Sequence, residues 1–342
     1  MDLSYAQHLE DYHLALVFGD EPAGFYIDVG AGHPVADNAS CWFYLRGWRG
    51  VVVEPQSELC ALYEQTRPRD IRECCALGRS AGEIEFHVVD RLHGFSSVLP
   101  EVAGRAGQFG VGYQTRRVPM KTLASICAAH DVGAIDFLKV DVEGAEGDVL
   151  AGGDWTRWRP RVVVCEALAP GTMDENWSAW EPHLLAQDYE FTLFDGLNRW
   201  YVAREATDIL ARFPREKAEW LAVPHLGHTN RAPFRDDHPD HAFATDLVGA
   251  FLARAPRLDR DLLLDLVMHG EAGDPGAALT AEDRARVIGR LFPAAFADAR
   301  SRLDGIEAPT LRAYYEKLIA SDAFRVMLGR MAASYDGGQI LD

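Results

Sequence analysis

The sequence lacks any apolar run near the roughly 20 residues that a membrane-crossing helix needs. Its first residues, Met1-Asp-Leu-Ser-Tyr5, show no basic stretch leading into an apolar block. Neither a membrane span nor a signal peptide is expected. Positive charge is scarce: 34 Lys and Arg stand against 52 Asp and Glu, for a formal charge of −18. Sequence-independent nucleic-acid binding depends on cations that neutralise phosphates, so nucleic acid is not an expected partner. The chain also lacks a C-x-x-C pair. Its six cysteines (41, 60, 74, 75, 127 and 165) are scattered, several in expected buried strands, which reads as reduced thiols in a cytoplasmic protein. What remains is 342 residues, 48% of them apolar, enough for two domains with proper cores.

One stretch organises the rest: Phe25-Tyr-Ile-Asp-Val-Gly-Ala-Gly-His-Pro34. Strand formers run into Gly30-Ala31-Gly32, with a helix expected soon after. A buried strand, a glycine turn and a helix open a doubly wound α/β nucleotide-binding domain. The dinucleotide fingerprint G-x-G-x-x-G wants a third glycine where Val35 stands. That departure favours S-adenosylmethionine (SAM), which has no phosphate, over NAD. Asp28, two residues before Gly30, is expected to reach the same crevice. The second strand, Val51-Val-Val53, closes in Glu54, placed 24 residues beyond Gly30. An acid there binds ribose hydroxyls in doubly wound folds. Asp28, Gly30, Gly32 and Glu54 are thus the expected cofactor residues.

Strands are further expected at 71–77, 83–89, 116–123, 135–141, 160–167, 189–194 and 199–203, with 83–89 at a sheet extension. Helices are expected over 3–18, 38–44, 57–66, 122–130, 145–150 and 177–187. In the first of them, Glu10 and Asp11 either face the crevice or are solvated. The irregular, glycine-rich segment 90–112 is long for a connection inside a compact domain, which favours a functional loop. In Leu138-Lys-Val-Asp-Val-Glu-Gly-Ala-Glu146, alternation puts Lys139, Asp141 and Glu143 on one face. Ionisable groups on a central strand are costly unless paired or used. Lys139 reads as the structural partner and Asp141 as the functional group. The next strand also ends in an acid, Glu166.

Five stretches carry a family resemblance: Tyr5-Ala-Gln-His-Leu-Glu-Asp11, the 24–34 turn, Arg46-Gly-Trp-Arg-Gly50, Phe137 to Glu146, and Phe194-Asp-Gly-Leu-Asn-Arg-Trp-Tyr-Val202. In this order they resemble the FkbM-type SAM-dependent methyltransferases over residues 3–213. The resemblance implies a Rossmann-like class I methyltransferase domain with a seven-stranded, mostly parallel sheet. It also implies methyl transfer to an oxygen, commonly a hydroxyl of a sugar, a glycan or a glycosylated natural product. Methylation of an amine or peptide on the same fold, and a non-catalytic SAM-binding protein whose tail recruits partners, are the alternatives.

For the chemistry, Asp141 and Glu166 are expected side by side at the ends of adjacent parallel strands. They can share a proton and act as base, with His33 as a further candidate. Alternatively Asp141, Glu143 and Glu166 can hold Mg²⁺, with Asp195 as a further oxygen ligand. Asp195 and Asn198, at the last hairpin, are expected to meet the substrate. Glu146 is read as a partner for backbone amides at a helix start. Beyond 213, residues 214–241 read as a linker; His225, His228, His238 and His241 there have no Cys or helix framing a metal site. Residues 242–342 read as an additional all-helical domain (246–254, 258–269, 280–292, 309–320 and 322–333), suited to homodimerisation or to docking partner enzymes.

Overall fold

The computed structural model describes Met1, residues 3–89, 92–169 and 172–226, Asp236, and residues 241–242. The helices expected between 246 and 333 lie outside the described residues, as do His228 and His238. In chain order the strands are β1 (Phe25–Val29), β2 (Arg49–Val53), β3 (Ile71–Glu73), β4 (Ala76–Leu77), β5 (Gly82–Val89), β6 (Tyr113–Lys121), β7 (Phe137–Val140), β8 (Val162–Glu166), β9 (Tyr189–Phe194) and β10 (Asn198–Ala203). The helices that matter below are α1 (Glu10–Phe18), α2 (Cys41–Leu45), α3 (Ser57–Thr66), α4 (Pro100–Gly104), α5 (Leu123–Ala129) and α6 (Glu146–Ala151).

Seven strands form one sheet in the order β3-β2-β1-β7-β8-β10-β9. The first five in that order run parallel, and β10 runs antiparallel to both its neighbours. Val51–Val53, Phe137–Val140 and Val162–Glu166 are buried along their whole length, as strands covered on both faces must be. The order reverses direction between β1 and β7. In open α/β sheets that switch point opens the ligand crevice at the carboxyl ends of the strands. Register pairs Asp28 with Lys139 and Val29 with Val140. Gly30 and Asp141 therefore leave the sheet side by side.

The expected strand 71–77 is two strands in two sheets. β3 stays in the main sheet, whereas β4 joins β5 and β6 in a separate three-stranded sheet, so 83–89 is not an extension of the main one. The division follows from what is fixed at the break. Glu73 accepts from Lys121 Nζ and His130 Nε2, each at 2.6 Å, and Cys74 is disulfide-bonded to Cys60 on α3. That bond corrects the expectation of six reduced thiols; Cys41, Cys75, Cys127 and Cys165 are free and buried. The two residues are 14 apart in sequence, and only the packing of α3 on β3 brings their Cα atoms to 5.8 Å.

The expected helix 3–18 begins only at Glu10, because Leu9 is left-handed (φ 64°). Residues before it are held otherwise. The Ser4 hydroxyl and the Tyr5 amide both donate to Asp11 at 2.7 Å, and Ser4 pairs through its backbone with 224–226. Asp11 and Glu10 are buried, so neither is a solvated surface acid. Among the described residues, no helix is long and apolar enough to cross a membrane.

Candidate active site

The turn after β1 is built from below. Gly30 has φ +73°, and a Cβ there would lie 1.7 Å from the Asp141 carbonyl oxygen. Only glycine lets β1 and β7 close at this point. Gly32 differs: its φ is +58°, but a Cβ would meet nothing within 4 Å, so its outer side is open. The Gly32 amide donates to Glu54 Oε2 at 2.9 Å and the Gln56 amide to Glu54 Oε1 at 2.8 Å. Glu54 is only 4% exposed. Burial pushes its carboxyl up to about 7, with the charge of Asp28 adding to the rise and the two amides opposing it.

Asp28 does not reach the open crevice. It is fully buried beneath the turn, where Oδ2 accepts the Ser40 hydroxyl at 2.6 Å. Behind it lies Arg67, 1% exposed, which donates to Asp70, Asn38, Tyr26, Ser40 and the Pro34 carbonyl. These supports carry no motif in the sequence, and Arg67 lies just beyond the end of α3. His33 is also part of the scaffold. Its Nδ1 accepts from the amides of Val35 (3.2 Å) and Ala36 (3.0 Å), so the lone pair a base would use is taken. That corrects its reading as a catalytic base.

At the ends of β7 and β8, Asp141, Glu143 and Glu166 each bring a carboxylate oxygen within 4.8 Å of the others. Lys139 Nζ reaches Asp141 Oδ2 at 2.8 Å. Desolvation alone would lower the Lys139 ammonium, but Asp141, Asp28 and Glu10 outweigh it and hold the group above its ordinary value. Burial lifts Glu166 well above the carboxylate range, and Asp141, Glu143 and Glu146 add to the rise. Glu143 is lifted likewise by burial and then by Asp141 and Glu146. The buried oxygens Glu143 Oε2 and Glu166 Oε2 have no hydrogen-bond partner.

The turn that presents them is strained and covered. Glu143 has φ 58° and Gly144 φ 103°. Glu146 closes the turn by accepting the Val142 and Gly144 amides, and Asn176 holds its other oxygen. Burial raises the Glu146 carboxyl to about 7 against those amide bonds. From above, Ser97 donates to the Glu143 carbonyl at 2.8 Å. A Cβ on Gly94 would sit 3.4 Å from Glu143 Oε1. The segment expected as a long loop is thus partly ordered, with α4 and short 3₁₀ turns, and it lies against the acidic turn.

Asp195 and Asn198 are structural in this arrangement. Asp195 Oδ1 accepts the amides of Leu197 and Asn198, and Oδ2 accepts Trp200 Nε1 and Asn198 Nδ2. It is fully buried, with each oxygen taken by two donors, which corrects its reading as a substrate contact and as a metal ligand. Asn198 is the register partner of Glu166 and donates to Glu10 Oε1 at 2.8 Å. It too is fully buried and is a support rather than a surface contact. Of the tail histidines, His225 stacks on Trp220 and approaches its carbonyl oxygen at 2.7 Å.

The β3-β2-β1-β7-β8-β10-β9 sheet, with an open glycine turn and acids at the ends of β7 and β8, fits a Rossmann-like methyltransferase domain. Residues 28–191 match the model of the methyltransferase FkbM domain, and this region belongs to that family. No curated protein sequence matches the chain closely enough to add a relative.

Proposed function

We propose that the domain transfers a methyl group from SAM to a hydroxyl of a sugar, a glycan or a glycosylated natural product. The observation that carries the reading is the surplus of carboxylate over cation beside the crevice: buried Glu166 clusters with half-buried Asp141 and Glu143, and Lys139 pairs with Asp141. Gly32, open on its outer side, and Glu54 would hold the nucleoside. Each Glu54 oxygen accepts one amide and keeps a lone pair for a ribose hydroxyl. Bound SAM would supply an electrophilic methyl group on a positively charged sulfonium.

A sugar hydroxyl is a weak nucleophile at neutral pH, so the chain must align it and accept its proton. Asp141, ion-paired to Lys139, would be the acceptor of that proton. Glu166, whose carboxyl is pushed up by burial and by the neighbouring acids, would share a proton with Asp141 and steady the pair. Lys139 keeps the charge in place without reaching the proton.

The test is incubation with methyl-labelled SAM and an extract of the source organism, followed by identification of the labelled product. An O-methylated glycan or glycoside is expected. Asp141→Asn and Glu166→Gln should each bind S-adenosylhomocysteine normally by calorimetry yet lose turnover by about 10²-fold or more. Label on nitrogen would refute the acceptor class. Near-normal turnover in both variants would remove these residues from the chemistry.

A further inference from the structure

The chain gives most buried acids of this region their donors. Glu146 receives two amides and Asn176, Asp195 receives four donors, and Glu10 receives the His8 amide and Asn198. Asp28 Oδ1 is left unmet beneath the turn, and so are oxygens of Glu143 and Glu166, but these two glutamates also converge on a further acid, Asp141. Each buries an oxygen that no donor meets, although Glu166 is only 7% exposed. An unmet buried carboxylate oxygen is costly, and two of them beside a third acid are more so. The Lys139 ammonium donates to Asp141 Oδ2 and meets neither of the unmet oxygens.

We propose that Asp141, Glu143 and Glu166 form a binding site for a hard divalent cation, Mg²⁺ or Mn²⁺. Three carboxylates and no sulfur or imidazole make an all-oxygen donor set, which suits these ions rather than Zn²⁺ or Cu²⁺. The spacing fits. Ligand oxygens about 2.1 Å from an ion stand at most about 4.2 Å apart, and at the longer distances of a larger ion about 4.8 Å. The three oxygens already lie within 4.8 Å of one another, so closing on an ion needs only side-chain adjustment.

Asp141 and Glu143 are partly exposed, which leaves the remaining coordination positions open to water or to an oxygen of the acceptor. A hydroxyl placed there would be more acidic, since a bound cation favours its deprotonated form. This role rests on the methyl-transfer reading, whereas the site itself does not; with the ion bound, Glu166 gives up its proton to serve as a ligand, and the ion steadies Asp141 in place of that proton.

The full chain, stripped with EDTA and desalted, is titrated with Mn²⁺ as the probe. Electron paramagnetic resonance and calorimetry follow binding, and Mg²⁺ serves as competitor. One saturable site per chain is expected, displaced by Mg²⁺. Glu143→Gln should weaken it at least tenfold, and Glu143→Gln with Glu166→Gln should abolish it. Glu83→Gln, at the exposed start of β5, should leave it unchanged. Should the double variant fail to fold, the single Glu143→Gln decides, because Glu143 is the less buried of the two. No saturable Mn²⁺ binding, or binding unchanged by Glu143→Gln, overturns the site. Binding of S-adenosylhomocysteine by the same stripped protein is read in parallel, so loss of the cation site and failure of the methyl-transfer reading are told apart.

Discussion

Replacing Glu54 by Gln should reverse its effect on stability between pH 5 and pH 8. In the folded chain the Glu54 carboxyl is pushed up to about 7, from 4.5 for the ordinary group. A carboxyl whose folded value is raised holds its proton longer folded than unfolded, so native stability falls as pH rises from 4.5 through about 7. Worked from that shift, the penalty is below about 1 kcal/mol at pH 5 and about 3 kcal/mol at pH 8. Glutamine never ionises and escapes the penalty. It has only one acceptor oxygen, however, whereas Glu54 accepts both the Gly32 and the Gln56 amides. Leaving one buried amide unmet costs about 1–3 kcal/mol at every pH. The variant should therefore be less stable than wild type at pH 5 and equal or more stable at pH 8, with a swing of about 2–3 kcal/mol. Urea unfolding of both proteins at pH 5, 6, 7 and 8, without cofactor, measures it. A difference that stays constant over this range would refute the assignment of Glu54 as a buried, protonated acid. The same variant should bind S-adenosylhomocysteine more weakly by about 1–3 kcal/mol, if its oxygens also accept the ribose hydroxyls.

Arg67→Met should destabilise the fold by about 3–5 kcal/mol in urea unfolding, because it leaves Asp70 buried without its ion pair and strips five acceptors of their donor; a change under 1 kcal/mol would mean the network does not hold the turn. The two glycines should separate. Gly30→Ala meets the Asp141 carbonyl oxygen and should give little folded protein, whereas Gly32→Ala should lose only about 1–2 kcal/mol for its left-handed backbone while weakening S-adenosylhomocysteine binding by calorimetry. Equal behaviour of the two would contradict their different surroundings. For His33, Asn can still accept a backbone amide, so His33→Asn should keep turnover within about threefold in the labelled-methyl assay; a loss of 10²-fold or more would restore His33 to the chemistry.

Much of the architecture is decided locally, and so was open to reading residue by residue. The valine-rich runs Val51–Val53 and Val162–Val164 are buried on both faces, and only a sheet covered on both sides provides such a place. Gly30-Ala-Gly32 marks the end of β1, because left-handed backbone favours glycine whatever surrounds it. Helix α3 coincides with the expected 57–66 for the same local reason. The turn of acids at 141–146 was visible as ionisable groups on an apolar strand.

Tertiary structure alone decided which of these groups face the crevice. Asp195 and His33 belong to short polar motifs that look like site residues, yet each is engaged by donors from its own turn or from Trp200, and Asp28 lies fully buried with one oxygen given to Ser40. Arg67, just beyond α3, is a buried hub because Asn38, Ser40 and Asp70 fold around it. The Cys60–Cys74 bond and the break between β3 and β4 depend on how α3 and α5 pack, over distances that no local pattern spans. Sequence determines which residues can turn, pair or bury; whether a polar group is spent on the scaffold or left for a ligand depends on which donors reach it once the chain has closed.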